Sequence, residues 1–213
     1  MAGAGSILIG LTGGIGTGKS RVAELLRALG AAVECSDTLV RELQAPGGAG
    51  LAAIVETFGP EYLTSAGELD RPKHGKLVFA DPGARAKLNL LIHPLVTRET
   101  QKRVAAHRAR GVAVIVADIP LLLEGKKAGI GSGAVLPFDL VVVVYATEEQ
   151  QLARVMARDK LSREDALARI HSQLPIEEKR ALADVVVDNS GSWEAAEKQT
   201  RDLYLEWISR ARR

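Results

Sequence analysis

The chain has 213 residues, a net charge of +2 and 46% hydrophobic residues, which suits one soluble domain or one domain with insertions. The small net charge gives no indication of a nucleic-acid partner. Cys35 is the only cysteine, which excludes an internal disulfide and a zinc cluster and fits a reducing compartment. Since no stretch is long and apolar enough for a membrane span and the first residues lack the pattern of a signal peptide, we expect a cytoplasmic protein without a membrane partner.

Five apolar runs alternate with helix-like segments along the chain. The runs are continuous and rich in β-branched residues, which indicates strands buried on both faces of a parallel sheet. Thr147 with Gln150, and Ser162 with Asp165, have the spacing of a helix capping box. The pattern predicts an α/β fold with a five-stranded, mostly parallel sheet that binds ligands beyond the carboxyl ends of its strands. The runs cover residues 6–12, 31–36, 112–118, 138–146 and 184–189.

A glycine-rich stretch between the first run and the first helix predicts a phosphate-binding loop. It fits the pattern G-x-x-x-x-G-K-[ST] in the strand-to-helix context that the motif requires. Several N–H groups of such a loop, with the helix N-terminus, bind phosphate oxygens. Lys19 is expected to reach the outer phosphates of a nucleoside triphosphate, and Ser20 to ligate Mg²⁺. The alternative is a flexible glycine-rich turn. The predicted loop contains Gly13, Gly14, Ile15, Gly16, Thr17, Gly18, Lys19 and Ser20.

Two segments interrupt the alternation of strands and helices. Residues 38–110 contain helical pieces broken at APGGAG, SAGELDRP, ADPG and HP, with no convincing sheet strand, which predicts a helical insertion. Residues 125–137 are glycine-rich without periodicity and predict a surface loop. Between these segments, Asp118 ends the apolar run VAVIV as the acid of a Walker B strand does. It is a candidate for holding a metal-bound water, and a structural turn is the alternative.

The phosphate-binding loop alone does not separate kinases from switches and mechanical ATPases, but a series of further motifs is more specific. GLTGGIGTGKS, SDTLVREL, FG…GELDR, LNLLIHP, DIPLLLE, QLARVMARD and ADVVVDNSG occur in this order and together resemble the dephospho-coenzyme A kinase family over roughly residues 7–205. The resemblance implies a P-loop NTPase three-layer sandwich with an acceptor-binding insertion at 38–110 and a lid at about 147–175. The implied reaction uses ATP and Mg²⁺ to phosphorylate the ribose 3′-hydroxyl of dephospho-coenzyme A.

The resemblance gives Asp37 a catalytic role. Asp37 matches the second aspartate of the family's DAD segment and follows the second predicted strand, where it is expected to accept the proton of the attacking hydroxyl. Its other expected role is the N-cap of the helix TLVRELQ, and the two roles are compatible. The sequence departs from the family at Cys35, which replaces the first aspartate and leaves open whether metal binding is rearranged. It departs again at Arg21, where threonine is usual, with little expected consequence.

The LDR and PLLLE blocks supply candidates for binding the acceptor. Asp70 and Arg71 match LDR, and Arg71 is expected to clamp the acceptor's pyrophosphate because a guanidinium binds phosphate bidentately. Leu122 and Glu124 belong to PLLLE. Glu124 is expected to orient the loop lysine or an arginine, and a surface ion pair is the alternative.

The HP block supplies a further acceptor-binding candidate. His93 and Pro94 match it, and a bend of the helix is expected to bring the imidazole near the acceptor. The alternative is a kinked core helix with a hydrogen-bonded histidine. His74, His107 and His171 match no motif and are expected at the surface.

The last motifs supply candidates for contacts with the phosphates and the adenine of ATP. Arg154 and Arg158 are four residues apart and share a helical face that is expected to close over the transferring phosphoryl group. A solvated helix face is the alternative. Asn189 and Gly191 follow the last strand and are expected to contact adenine, and Gln173 is expected to support the lid.

Two other functions compete with this interpretation. One is a different small-molecule P-loop kinase of nucleotide or sugar type, which would not need the insertion with LDR and HP. The other is a nucleotide-dependent regulatory module without turnover, which would not need an acceptor base. The sequence leaves the oligomeric state open and is compatible with a monomer.

Overall fold

The computed structural model describes residues 5–212. The expected lack of a signal peptide depends in part on residues 1–4, which lie outside the described residues. Five strands form one sheet in the order β2-β3-β1-β4-β5, and every neighbouring pair is parallel. Each predicted apolar run overlaps one strand, so the predicted parallel sheet is confirmed. The strands are β1 (Ile7–Gly13), β2 (Ala32–Cys35), β3 (Val114–Asp118), β4 (Leu140–Tyr145) and β5 (Val185–Asp188).

Helices cover both faces of the sheet and give the three layers expected. Trp207 and Leu26 are buried against one face, and Leu122, Ile176 and Val104 against the other. Within residues 5–212, every helix is too short or too polar to span a bilayer. The helices are α1 (Lys19–Ala28), α2 (Ser36–Leu43), α3 (Ala49–Phe58), α4 (Arg71–Ala80), α5 (Pro82–Ala109), α6 (Leu122–Ala128), α7 (Gly131–Val135), α8 (Glu148–Asp159), α9 (Arg163–His171), α10 (Ile176–Ala181) and α11 (Trp193–Ala211).

Both predicted helix starts after the fourth strand are present. Thr147 caps α8 in a complete capping box with Gln150. Ser162 caps α9 by accepting a hydrogen bond from the backbone N–H of Asp165. These caps satisfy N–H groups that have no partner inside the helix.

The segment between β2 and β3 contains α2 to α5, a short 3₁₀ turn and one isolated bridge. These helices enclose a small core of their own, in which Ile54 and Ile92 are almost fully buried. The predicted helix break at HP is wrong, because α5 runs through Pro94 for 28 residues. Proline costs this helix one backbone hydrogen bond. Packing of Ile92 and Val96 on either side of the proline holds the helix together.

The prediction of a surface loop at residues 125–137 is also wrong. The segment contains the end of α6 and all of α7, joined through Gly129 and Gly131, which both have positive φ. Ser132 and Gly133 are buried. A side chain at Gly133 would collide with the backbone of Leu122, so the small residues serve close packing rather than a flexible loop.

Candidate active site

The glycine-rich loop connects β1 to α1 at the carboxyl edge of the sheet. Gly16 and Gly18 have φ of 79° and 91°, a left-handed conformation that glycine adopts without strain. Thr17 is fully buried, and its hydroxyl donates to the carbonyl of Gly14 at 2.8 Å. The loop therefore has the curled form that directs backbone N–H groups towards an anion.

Two side chains from distant elements hold the loop in place. The Oε1 atom of Gln173 accepts a hydrogen bond of 2.9 Å from the backbone N–H of Ile15. The Nδ2 atom of Asn189, which follows β5, donates to the carbonyl of Thr17 at 2.7 Å. The residues after α9 and β5 thus fix the shape of the loop before a ligand binds.

Arg154 extends from α8 over the loop. Its guanidinium donates to the carbonyls of Gly16, at 3.3 Å, and Asn189, at 3.0 Å. Arg158, one turn later, is exposed and pairs instead with Asp159 at 2.7 Å. Arg154 is already positioned against the loop, whereas Arg158 has to leave an exposed ion pair to reach a phosphate.

Lys19 forms an ion pair with Asp118 at the end of β3. Both side chains are mostly buried, with 13% and 7% of their surfaces exposed. Cys35 is paired with Asp118 in the parallel ladder, so the end of β2 lies beside this ion pair. A polyphosphate at the loop would compete with Asp118 for the lysine.

Two cavities meet at this edge of the sheet. The first, which we call the P-loop cavity, has a volume of about 420 Å³ and is lined by the loop, Arg154, Arg158 and Gln173. The second, the side cavity, has a volume of about 440 Å³ and lies between α2, α5, α6 and α7. Asp37 and Pro120 line both cavities. The exposed carboxylate of Asp37 therefore lies at the boundary between the two cavities, within reach of ligands bound in either one.

Asp37 is not the cap of its helix. The N-cap of α2 is Cys35, and Asp37 lies inside the first turn. No side chain caps this helix with a hydrogen bond. The predicted capping role is wrong because α2 begins two residues earlier than the sequence indicates, which leaves the Asp37 carboxylate free to face the cavities.

Comparison with known proteins identifies the family. A family model described as dephospho-CoA kinase matches residues 7–195. The dephospho-CoA kinases of Carboxydothermus hydrogenoformans and Enterococcus faecalis are each 43% identical, over 94% and 95% of this chain and 94% and 98% of theirs. The chain belongs to the dephospho-CoA kinase family.

Solved structures agree with this assignment. TT1252 from Thermus thermophilus has a TM-score of 0.75 and 35% identity, and covers 95% of this chain and 98% of its own. Dephospho-CoA kinase from Campylobacter jejuni has a TM-score of 0.64 and 27% identity over 95% of this chain and 97% of its own. The more distant shikimate kinase from Acinetobacter baumannii, with a TM-score of 0.53, shares the P-loop kinase fold.

Pro120 of the PLLLE block lines both cavities, but the side chains that follow it differ from the expected arrangement. Glu124 lines the side cavity but pairs with Lys179 of α10 at 2.8 Å, rather than with Lys19 or an arginine. Leu122 is fully buried against the sheet, and its exposed neighbour Leu121 lines the cavity instead.

Lys179 was not predicted from the sequence. Its side chain is fully buried, and it also donates to the carbonyl of Pro120 at 3.1 Å. Burial lowers the pKa of Lys179, and the nearby Glu124 carboxylate opposes that shift. Glu124 accepts a further hydrogen bond from the backbone N–H of Leu174, next to the loop-binding Gln173. This network joins the walls of both cavities.

The LDR block lies outside both cavities. Asp70 caps α4 by accepting from the backbone N–H of Lys73 at 3.0 Å. Arg71 is exposed and donates to Gln44 at 2.8 Å. Neither residue lines the P-loop cavity or the side cavity. Their expected contact with the acceptor therefore has no support from this geometry.

The HP histidine does face the side cavity, and the other histidines differ from expectation. Burial lowers the pKa of His93, which favours the neutral imidazole near pH 7. His74 is buried between the rings of Phe58 and Tyr62, so its expected surface position is wrong.

The two remaining histidines differ from each other. His107 is only 15% exposed and lies 2.6 Å from a carboxylate oxygen of Glu34, so its expected surface position is also wrong. His171 is exposed, as expected. The His107–Glu34 pair was not predictable from the sequence, because its partners are far apart along the chain.

The two predicted adenine contacts have different surroundings, and Arg21 makes a contact that was not predicted. Gly191 is exposed with open space around it, whereas the amide of Asn189 is already used by the loop. Arg21 lines the P-loop cavity and stacks on Trp193, with its Cζ atom 3.8 Å from the ring centroid. This contact gives Arg21 a cation–π role that threonine cannot fill.

Proposed function

We propose that the P-loop cavity holds the triphosphate of ATP, that the side cavity holds the ribose of the acceptor, and that Asp37 is the base between them. The activity follows from the family: the chain is an ATP-dependent phosphotransferase that phosphorylates dephospho-coenzyme A in coenzyme A synthesis. The observation that carries the proposal is that Asp37 borders both cavities.

In this mechanism the chain mainly positions groups and moves one proton. Asp37 takes the proton of the ribose 3′-hydroxyl as its oxygen attacks the γ-phosphorus, and ADP leaves. Lys19 leaves its ion pair with Asp118 and binds the outer phosphates of ATP. Arg154 and Arg158 supply positive charge to the transferring group, which is where electrostatic stabilisation is most useful in phosphoryl transfer.

Mg²⁺ fits the oxygen donors of this site. Within residues 5–212 no three His, Cys, Asp or Glu side chains form a metal-binding group. Mg²⁺ needs no such cage, since it usually takes one or two protein oxygens with waters and substrate phosphates. The Ser20 hydroxyl borders the P-loop cavity and would ligate the ion, and Asp118 would hold a metal-bound water once Lys19 has left it. Bound there, the ion would neutralise phosphate charge.

The larger segments receive corresponding roles. We propose that residues 38–110 bind the acceptor, because α2 and α5 supply one wall of the side cavity. Residues 147–175 act as the lid, because they carry the two arginines and Gln173 over the loop. The enzyme is expected to work in the cytoplasm, and a monomer contains every group named in this mechanism.

Asp37→Asn tests the base. Asparagine keeps the size of the side chain but cannot take a proton, so kcat should fall on the order of 10²–10⁴-fold with dephospho-coenzyme A as acceptor. The melting temperature and ATP binding should be unchanged. The matched control is Asp81→Asn, at the exposed N-cap of α5, which should keep its activity. An Asp37→Asn enzyme with normal kcat would remove the base role and make Asp118 the next candidate.

A further inference from the structure

A third cavity continues the side cavity along α5. We call it the α5–α7 groove: it has a volume of about 640 Å³ and lies between one face of α5 and the segment from Ile130 to α7. Asn89, His93, Ile130 and Gly131 line both the side cavity and the groove. A ligand held in the side cavity can therefore extend past His93 into the groove without crossing a wall.

The groove is apolar in a way that the fold does not require. Leu90 is 75% exposed, Val135 53% and Ile130 47%, and all three line it. Large apolar side chains left in water lose the stabilisation that burial gives. Their collection along one groove that opens from the acceptor site indicates a surface that a ligand covers.

A few polar groups accompany these apolar side chains. Pro94 has no N–H, so the carbonyl of Leu90 lacks its helical donor. The amides of Asn89 and Gln101 also line the groove. Arg98 is the one lysine or arginine that the described structure has along the side cavity and the groove. An anion joined to an apolar chain with amide groups would match this set of partners.

We propose that the α5–α7 groove binds the pantetheine arm of the acceptor and that Arg98 contacts the pyrophosphate that precedes it. This inference rests on the proposed function, in which Asp37 holds the ribose at the other end of the side cavity. The arm's methyl groups contact Leu90 and Val135, and one of its amide N–H groups donates to the Leu90 carbonyl. The HP proline then serves substrate binding by leaving that carbonyl without its helical donor.

Leu90→Gln tests the groove. The side chain is mostly exposed, so the substitution should leave folding intact while it removes apolar contact with the arm. The KM for dephospho-coenzyme A should rise about tenfold, with kcat changed by less than about twofold. Leu205→Gln is the matched control: Leu205 is 65% exposed on α11, outside the groove, and its KM should not change.

A truncated ligand tests the arm by itself. 4′-Phosphopantetheine should inhibit competitively against dephospho-coenzyme A, and Leu90→Gln should raise its inhibition constant about tenfold. AMP, which lacks the arm, should inhibit both enzymes equally. Loss of inhibition in Arg98→Gln would fit the phosphate contact.

The possible failures are distinguishable. If the wild-type chain does not phosphorylate dephospho-coenzyme A, the proposed function fails. If it does, but Leu90→Gln keeps the KM of the wild type or 4′-phosphopantetheine does not compete, only the assignment of the groove is overturned. If Leu90→Gln instead changes the mass measured by light scattering while KM stays constant, the groove is an interface with a second copy.

Discussion

Lys179→Met should destabilise the protein substantially, because the fully buried side chain of Lys179 forms an ion pair with Glu124. Methionine fills similar space but leaves the Glu124 carboxylate without the ammonium 2.8 Å away. One oxygen of that carboxylate, Oε2, is buried and already lacks a hydrogen-bond partner. Breaking a buried pair from one side costs about 3–5 kcal/mol. Since Glu124 is 23% exposed and keeps its bond from Leu174, we expect about 3 kcal/mol.

The measurement is urea unfolding of Lys179→Met, Glu124→Leu and the double variant. A loss of about 3 kcal/mol corresponds to a fall in melting temperature of about 6–12 °C for a chain of this length. The double variant should lose less than the sum of the single variants, because it leaves no charge buried alone. Additive losses, or a Lys179→Met protein within about 1 kcal/mol of the wild type, would refute the reasoning.

The remaining predictions concern Cys35 and His74. Cys35→Ser should keep most activity and should not lower the melting temperature, since Cys35 is the N-cap of α2 and serine is a preferred cap; a total loss of kcat would implicate the thiol. Burial lowers the pKa of His74 below its ordinary 6.5, so the unfolded chain binds the proton more tightly. The free energy of unfolding should therefore decrease as the pH falls below 6.5. In His74→Phe the fall in unfolding free energy should be shallower than in the wild type and in His171→Gln; equal slopes would contradict this.

The elements that the sequence predicts best are those whose signal is local. The run VVVV in β4 by itself indicates a buried strand. The glycine pattern before Lys19 predicts both the curled conformation of the loop and the phosphate that it binds. The identity of the acceptor was predicted only from the resemblance of several motifs in order, since no single residue specifies it. Asp37 was correctly expected beside the phosphate loop because parallel strands end at one edge of the sheet.

Features that depend on contacts between distant segments were not predictable. Residues 131–135 have a poor helix composition, yet they form α7 because α5 and α6 pack against them. Nothing near Lys179 indicates that Glu124 neutralises it. The break expected at Pro94 failed for the same reason, since the packing that keeps α5 intact comes from α3 and the bridge before α4.

Because α5 is unbroken, a small tilt of this helix would move the distant part of the insertion by several ångströms. With 28 residues it is about 42 Å long, and its C-terminal end leads through Gly111 directly into β3. A tilt of about 5° at that end would move its first turn by about 4 Å and His93 by about 2 Å. The side cavity and the α5–α7 groove could therefore widen to admit a long acceptor and then narrow around it.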